Sequence, residues 1–170
     1  LGDVYKRQMH SFMPTGFPSE SSRSLQTKSN NSWGVENSEC LCGEITSLNG
    51  STPLASAISG VTAAGRCTLG QVIKSTSLSK VFQKIISETT ATARAYGINP
   101  SSSIGQHIWA RVNELPSDVG ASTALDLEKG LPLEVDWISG AVTRLAKAKG
   151  LEALTNETIH GLLSPYKDGL

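Results

Sequence analysis

The apolar residues of this chain change their pattern near residue 52. Beyond that point they recur at helical spacing, as Leu54, Ala57, Ile58 and Val61 do at i, i+3, i+4 and i+7. No convincing run of alternating apolar and polar residues, the mark of a half-buried strand, is present. The pattern therefore predicts an all-α fold, with helices at about 54–61, 79–96, 101–113, 123–129 and 133–149 and a short last helix capped by Thr155.

Ordinary stop signals separate the predicted helices. Gly97 follows the longest one, Gly150 follows the helix over 133–149, and a turn is expected around Gly65 and Gly70. Glu88 lies off the apolar face of its helix and is expected to be solvated, as are its lysine neighbours. The apolar faces of the two longest helices predict one shared core, formed by Val81, Phe82, Ile85, Ile86, Val135, Ile138, Val142 and Leu145.

Residues 1–51 have a different character. They are rich in serine, with prolines and paired asparagines, and no apolar period persists for more than a few residues. Such a segment cannot bury enough surface to fold, so we expect a disordered leader. Its first eight residues, LGDVYKRQ, resemble a translated sequencing-adapter remnant, and the leader as a whole is expected to be partly artefactual. The folded domain is expected to span residues 52–170.

Charge and composition exclude several classes of function. Lys plus Arg and Asp plus Glu both number 15, so the net charge is zero. A basic nucleic-acid-binding protein or a polybasic membrane-binding protein is therefore not expected. The sequence has no apolar run long enough to span a membrane and no secretory h-region. Three cysteines without such a signal predict reduced thiols in a cytoplasmic protein.

Common catalytic and metal-binding motifs are missing. Neither G-x-G-x-x-G nor G-x-x-x-x-G-K-[ST] occurs, so no phosphate-binding loop is predicted. Cys40 and Cys42 have no second pair at zinc-binding spacing, and no metal site is expected. The three histidines are far apart in sequence, and each is interpreted as a surface or loop residue.

The stretch STALDLEKGLPLEVD, residues 122–136, offers candidate chemistry. Ser122 is predicted at the mouth of a short helix, and Glu134 in the first turn of the next helix. Gly130 and Pro132 between them would fold the second helix back on the first, so both side chains could converge on one cleft. The alternative is structural: Ser122 as an N-cap and Glu134 as an acid favoured by a helix dipole.

Residues 52–164 resemble the C-terminal helical domain of ketopantoate reductase (2-dehydropantoate 2-reductase). The stretch 122–136 is similar to the family's S-M-x-x-D-x-x-x-G-x-x-x-E-[IV]-D, with its spacing intact. The stretches LASAISGVTAAGRCTLGQV at 54–72 and LSKVFQKIISETTATARAYG at 78–97 resemble the family's first two helices, and TNET at 155–158 resembles the phrase before its last helix. The resemblance implies a compact substrate-binding domain of the 6-phosphogluconate dehydrogenase C-terminal-like fold.

The resemblance also implies roles for individual residues. Ser122 falls on the serine that binds the substrate carboxylate. Glu134 falls on the acid at the nicotinamide-ribose end of the cleft, which makes it the candidate catalytic and cofactor-binding residue. The implied reaction is reduction of a small 2-oxo acid, 2-dehydropantoate, to pantoate in pantothenate biosynthesis, with NADPH bound mainly by an N-terminal Rossmann domain. These 170 residues contain no such domain, so we expect a fragment that is inactive alone.

Two departures from the family pattern concern the first helix. The family's catalytic lysine aligns with Ser51, and no lysine occurs between Lys28 and Lys74. Two substrate-contacting asparagines of many members align with Ala55 and Ser59. A truncated or mis-joined gene would explain the missing lysine. If its loss is real, the alternative is a non-catalytic helical module for dimerisation, as a homodimer, or for binding another partner. A Rossmann strand–turn–helix upstream would favour the enzyme.

Overall fold

The computed structural model describes residues 52–170, and the predicted leader at 1–51 lies outside the described residues. The described part is all-α, as predicted, and contains no strand. Its α-helices are α1 (Thr52–Gly65), α2 (Leu69–Lys74), α3 (Thr76–Ala95), α4 (Ile104–Asn113), α5 (Ser122–Glu128), α6 (Ser139–Ala148) and α7 (Leu154–Leu163). Two short 3-10 turns cover Glu134–Asp136 and Ser164–Tyr166.

The helices α1 and α3 form the centre of the domain. They pack along each other, and α7 contacts both. The short helix α5 lies against α1, while α2, α4 and α6 pack on α3. No described helix is both long and apolar enough to cross a membrane.

The long helix α3 matches its prediction most closely. It begins three residues earlier than predicted, because Ser75 accepts a hydrogen bond from the backbone N–H of Leu78 and caps the first turn. It ends where expected, at Gly97, whose positive φ of 79° is easily adopted only by glycine.

The predicted turn around Gly65 and Gly70 instead contains a helix. After Gly65 the chain turns, and Thr68 begins α2 with a capping box in which it exchanges hydrogen bonds with Gln71. Gly70 therefore lies inside α2, and a Cβ there would come within 2.6 Å of the Cβ of Ser117. The capping box T-x-x-Q was the local signal for this helix.

The single predicted core is wrong, because the structure has two apolar clusters. Phe82, Ile85, Ile86 and Val135 belong to the larger one, which fills the space between α1, α3, α5 and α7. Val142 and Leu145 of α6 pack instead with Ala93, Ala146 and Ala153. Val81 and Ile138 are only half-buried.

A belt of buried polar residues on α3 separates the two clusters. Thr89 and Thr92 are almost fully buried, and their hydroxyls donate to the carbonyl oxygens of Ile85 and Glu88 one turn earlier. Because these hydroxyls are satisfied within the helix, α3 can bury them without an outside partner. The sequence pattern predicted one continuous face through Thr89 to Ala93, whereas Ile86 belongs to the larger cluster and Ala93 to the smaller one.

Glu88 lies in the same belt and is buried, which corrects the expectation that it is solvated. Only 6% of its surface is exposed. Its carboxylate accepts hydrogen bonds from the backbone N–H groups of Thr155 and Asn156, both at 3.0 Å, and from the side-chain amide of Asn156 at 2.8 Å. The Asn156 carbonyl in turn accepts from the Ser56 hydroxyl at 3.1 Å. One chain of polar contacts thus joins α1, α3 and α7.

The same contacts explain why Thr155 is not the cap of the last helix. The helix α7 begins at Leu154, after Ala153, and no side chain at that N-cap position bonds its first turn. The free N–H groups of the first turn are satisfied by Glu88 from α3, and a carboxylate also favours the positive end of the helix dipole.

Replacing Ile85 by alanine should lower the free energy of unfolding by about 2–5 kcal/mol. The side chain is fully buried in the larger cluster, so truncation leaves a cavity. Chemical denaturation measures the loss. Leu162→Ala is the control, because Leu162 is 58% exposed; its effect should stay within about 0.5 kcal/mol. An Ile85→Ala cost as small as the control's would mean that this face of α3 is not in the core.

Replacing Glu88 by alanine should destabilise the domain by at least ~2 kcal/mol, since each buried donor left unsatisfied costs about 1–3 kcal/mol. Three donors at the start of α7 lose their acceptor. Denaturation gives the total, and amide exchange at residues 155 and 156 shows where protection is lost. Glu152→Ala, an exposed glutamate on the preceding loop, is the control. Unchanged amide exchange at residues 155 and 156 would show that Glu88 is not the acceptor that protects these N–H groups.

Candidate functional site

Ser122 is the first residue of α5 and is exposed. It is not the N-cap: that position is Ala121, a fully buried residue whose side chain makes no cap hydrogen bond. The Ala121 N–H instead reaches the Thr62 hydroxyl on α1 at 3.5 Å. The exposed Ser122 hydroxyl has no hydrogen-bond partner among residues 52–170 and can contact a ligand.

The exposed face of α5 carries further polar residues. Thr123 and Leu127 point into the protein and are buried. Ser122, Asp126 and Lys129 follow each other at i, i+4 and i+7, which places them along one side of the helix, away from the buried face. This side presents a hydroxyl, a carboxylate and an ammonium group in a row.

Glu134 lies in the 3-10 turn Glu134–Asp136 and is exposed. The predicted helix over 133–149 is therefore wrong at its start. The backbone breaks at Ile138, with φ −104° and ψ −89°, and α6 begins only at Ser139. Glu134 was expected in the first turn of a long helix, and it lies before the start of that helix instead. Instead the buried side chains of Leu133 and Val135 hold the turn on both sides of Glu134.

The connection between α5 and this turn is held by the C-terminal residues. Gly130 reverses the chain with a φ of +65°, and its carbonyl accepts from the Leu170 N–H at 3.0 Å. The Leu133 N–H donates to the Lys167 carbonyl at 2.9 Å. A Cβ on Gly169 would come within 2.7 Å of the Gly130 oxygen, so the two segments touch backbone to backbone. The predicted helix stop at Gly130 is confirmed, and the turn after it is held by the distant C-terminal segment. That the next helix folds back on α5 stays a prediction.

The described residues form two concave surfaces, and one of them is lined partly by Ala124, Leu125 and Glu128 of α5. One is an apolar groove of about 400 Å³ between the end of α1, the start of α3 and α7, where Leu154 and Leu162 are exposed. The other is a polar pocket of about 160 Å³ that includes Arg66, Cys67 and Gln71. Neither Ser122 nor Glu134 lines either surface. Convergence of Ser122 and Glu134 on one cleft stays a prediction.

The thiol in the polar pocket is not suited to nucleophilic chemistry. Burial raises the pKa of Cys67, which disfavours the nucleophilic thiolate. Its Sγ makes only a long contact, 3.9 Å, to the Val61 carbonyl. Residues 52–170 also contain no group of three or more His, Cys, Asp or Glu side chains that could hold a metal ion.

Asp136 and His160 form a pair that sequence reasoning missed. Asp136 Oδ1 lies 2.7 Å from Nε2 of His160 on α7, and Oδ2 lies 3.9 Å from the Lys167 ammonium. The hydrogen bond from His160 lowers the pKa of Asp136, and the nearby charges of His160, Lys167 and Arg144 add to this. His160 is a partly exposed residue of α7, in agreement with the expected surface position. Its partner was missed because 24 residues separate the two and carry no local signal of their contact.

The model for the family "Ketopantoate reductase PanE/ApbA C terminal" matches residues 54–167. This chain belongs to that family. A 2-dehydropantoate 2-reductase of Mycobacterium tuberculosis is 30% identical over 87 residues, which are 51% of this chain and 30% of that protein. One from Archaeoglobus fulgidus is 26% identical over 116 residues, 67% of this chain and 38% of that protein. The chain thus matches about a third of the length of these relatives.

Solved structures share the fold of this ketopantoate reductase domain. A dimeric ketopantoate reductase from Staphylococcus aureus superposes with a TM-score of 0.66 at 24% identity, covering 69% of this chain and 41% of that one. A D-mandelate dehydrogenase solved with NADH and anilino(oxo)acetate gives 0.63 at 18% identity, covering 69% and 39%. In the family's frame, Ser51, aligned with the catalytic lysine, lies outside the described residues. Ala55 and Ser59, aligned with the asparagines, lie half-buried and buried on α1.

Removing the imidazole in His160→Ala should raise the pKa of Asp136 toward the ordinary aspartate value, about 3.9. In the native domain the pair's stabilisation is fully present above that value and is lost as the pH falls through the lowered pKa of the folded state. Carboxyl ¹³C NMR titration measures the shift. Glu114→Ala, which removes the carboxylate of the exposed Arg111–Glu114 ion pair of equal length, should leave the Asp136 titration curve in place. An unchanged Asp136 titration curve in His160→Ala would contradict the pairing of the two side chains.

Proposed function

We propose that residues 52–170 form the substrate-binding half of an NADPH-dependent 2-dehydropantoate 2-reductase, which reduces 2-dehydropantoate to pantoate. The family match across 54–167 carries this proposal. It is supported by the unbroken motif spacing from Ser122 to Asp136 and by the exposure of both Ser122 and Glu134. A cytoplasmic location, expected from the unpaired thiol of Cys67, belongs to the same proposal.

The described residues fit only a small part of the cofactor. They include no strand and no glycine-rich phosphate loop, so the rest of the dinucleotide has to be held by a Rossmann domain outside residues 52–170. The exposed Glu134 carboxylate can accept a hydrogen bond from a hydroxyl at the nicotinamide-ribose end. When bound, NADPH supplies the hydride for the substrate's carbonyl carbon.

In this mechanism the chain's own residues orient the reactants. Ser122 donates a hydrogen bond from its free hydroxyl to the substrate carboxylate, and Glu134 fixes the cofactor end of the cleft. The proton for the new hydroxyl comes from the family's lysine, whose position aligns with Ser51 in this sequence. We therefore propose that residues 52–170 by themselves do not catalyse the reaction.

The alternative, a non-catalytic helical module, is favoured by the apolar groove beside α7. Leu154 and Leu162, both 58% exposed, lie along this groove of about 400 Å³. Such a surface could serve association with a second copy or another partner. It does not require Ser122 or Glu134, so substitutions at these two residues separate the alternatives.

A chimera tests the proposal. Residues 52–170 replace the matching part of the Mycobacterium tuberculosis relative, and the remainder of that 2-dehydropantoate 2-reductase is to supply the dinucleotide-binding domain and the lysine that the proposal requires. We expect NADPH oxidation that depends on 2-dehydropantoate. A chimera that folds, binds NADPH and does not turn over would overturn the proposal and favour the helical module.

In the active chimera, Ser122→Ala should raise KM, because it removes a hydrogen bond to the bound anion. Glu134→Ala should lower kcat, because the nicotinamide end is no longer oriented. Each loss should be roughly 1–3 kcal/mol, the range for hydrogen bonds to charged groups. Steady-state kinetics measures both. The exposed Ser77 and Glu152 provide matched controls, Ser77→Ala and Glu152→Ala, which should leave both constants unchanged. Normal kinetics in both test variants would remove Ser122 and Glu134 from the site.

A further inference from the structure

The turn that carries Glu134 is too short to hold its own shape. Its backbone bonds are those from the N–H groups of Trp137 and Ile138 to the Glu134 carbonyl, both at 3.1 Å. A single 3-10 turn has poor hydrogen-bond geometry, so its persistence depends on contacts from outside. The buried side chains of Leu133 and Val135 fix one side of the turn. The exposed side, where Glu134 lies, needs a separate restraint.

Asp136 supplies that restraint by contacting three different elements. Its carboxylate bonds His160 on α7 at 2.7 Å and lies 3.9 Å from Lys167 in the C-terminal segment. Its carbonyl accepts from the Arg144 guanidinium on α6 at 3.1 Å. The last residue of the turn is thus held from three directions, at both its side chain and its backbone.

The fold makes room for this arrangement at Gly140. A Cβ on this residue would lie 2.9 Å from Cδ2 and 3.0 Å from Nε2 of the His160 ring. Gly140 is in the first turn of α6, directly after the 3-10 turn. A side chain at this position would displace the His160 ring, so the glycine leaves room for the ring to lie against the helix and reach Asp136. The close approach of the ring to Gly140 therefore helps to fix the position of His160.

We propose that Asp136 and His160 are positioning residues for Glu134: their hydrogen bond, supported by Lys167 and Arg144, holds the 3-10 turn so that Glu134 is presented in one orientation. The part of this that concerns catalysis rests on the proposed function of Glu134. Both side chains of the pair are partly exposed, at 30% for His160 and 42% for Asp136. Exposed pairs contribute little to global stability, so breaking this one should loosen the turn and leave the domain folded.

The first experiment uses the whole 170-residue chain and needs no activity. Amide hydrogen exchange by NMR is measured for Trp137 and Ile138, whose N–H groups close the turn. In Asp136→Ala and in His160→Ala we expect exchange about fivefold faster at these two amides, with unchanged exchange in α1 and α3. Combining the two substitutions should add little to either, since they remove the same bond. Asp136→Asn, which keeps an acceptor oxygen, should retain most of the protection.

Glu114→Ala is the matched control, because like Asp136→Ala it removes the carboxylate of an ion pair, here Arg111–Glu114, which is also 2.7 Å long and lies elsewhere in the fold. It should leave Trp137 and Ile138 unchanged. Unchanged exchange in both Asp136→Ala and His160→Ala would overturn the proposal, as would fully additive effects of the two. These outcomes do not depend on whether the chain serves an enzyme.

The second experiment tests the catalytic consequence in the active chimera. We expect Asp136→Ala to lower kcat several-fold with KM for 2-dehydropantoate within about twofold, and Asp136→Asn to restore most of it. A loosened turn with unchanged kcat would show that Glu134 does not need the restraint, which overturns the positioning role while the proposed function stands. A wild-type chimera without activity would overturn the proposed function, and the exchange data would still decide whether the pair holds the turn.

Discussion

The buried carboxylate of Glu88 is the contact on which the arrangement of the domain depends. It gives the start of α7 the acceptors that no nearby side chain provides, and through Asn156 and Ser56 it extends to α1. Since α1 and α3 form the central pair, this contact sets where α7 begins relative to both. His160 on α7 and the C-terminal segment that follows α7 both depend on that placement.

The two candidate residues therefore lie on a short helix and a connecting turn, and not on the long helices. Ser122 begins a short helix beside Thr62 of α1, and Glu134 lies on a turn held by α6, α7 and the C-terminal residues. Each of these contacts joins residues far apart in sequence. The helices α1, α3 and α7 act as the frame, and the segments that carry the candidate side chains are attached to it by a small number of hydrogen bonds. This division is common where binding residues lie on loops supported by a scaffold.

Features that repeat locally could be predicted from the sequence. The helical period of α3, its stop at Gly97 and the burial of Phe82 and Ile85 all follow from neighbours within a few residues. The role of Glu88 could not, because its partners are 67 and 68 residues away. The same holds for Ser122: its structural alternative, an N-cap, is wrong because the N-cap position of α5 is Ala121, whose N–H contacts the Thr62 hydroxyl on a distant helix. The motif spacing located Ser122 and Glu134, but not the contacts that orient them.

The two described tryptophans differ sharply in their surroundings, and this has a spectroscopic consequence. Trp109 lies edge-on to Phe82 in the larger core, with ring centroids 5.7 Å apart. Trp137 ends the turn that carries Glu134 and is 63% exposed. In a Trp33→Phe background, the emission of Trp109 reports on unfolding, while the water-exposed indole of Trp137 responds to collisional quenchers and to any molecule that covers the turn. Intrinsic fluorescence can therefore separate ligand contact at the turn from loss of the fold, without an added label.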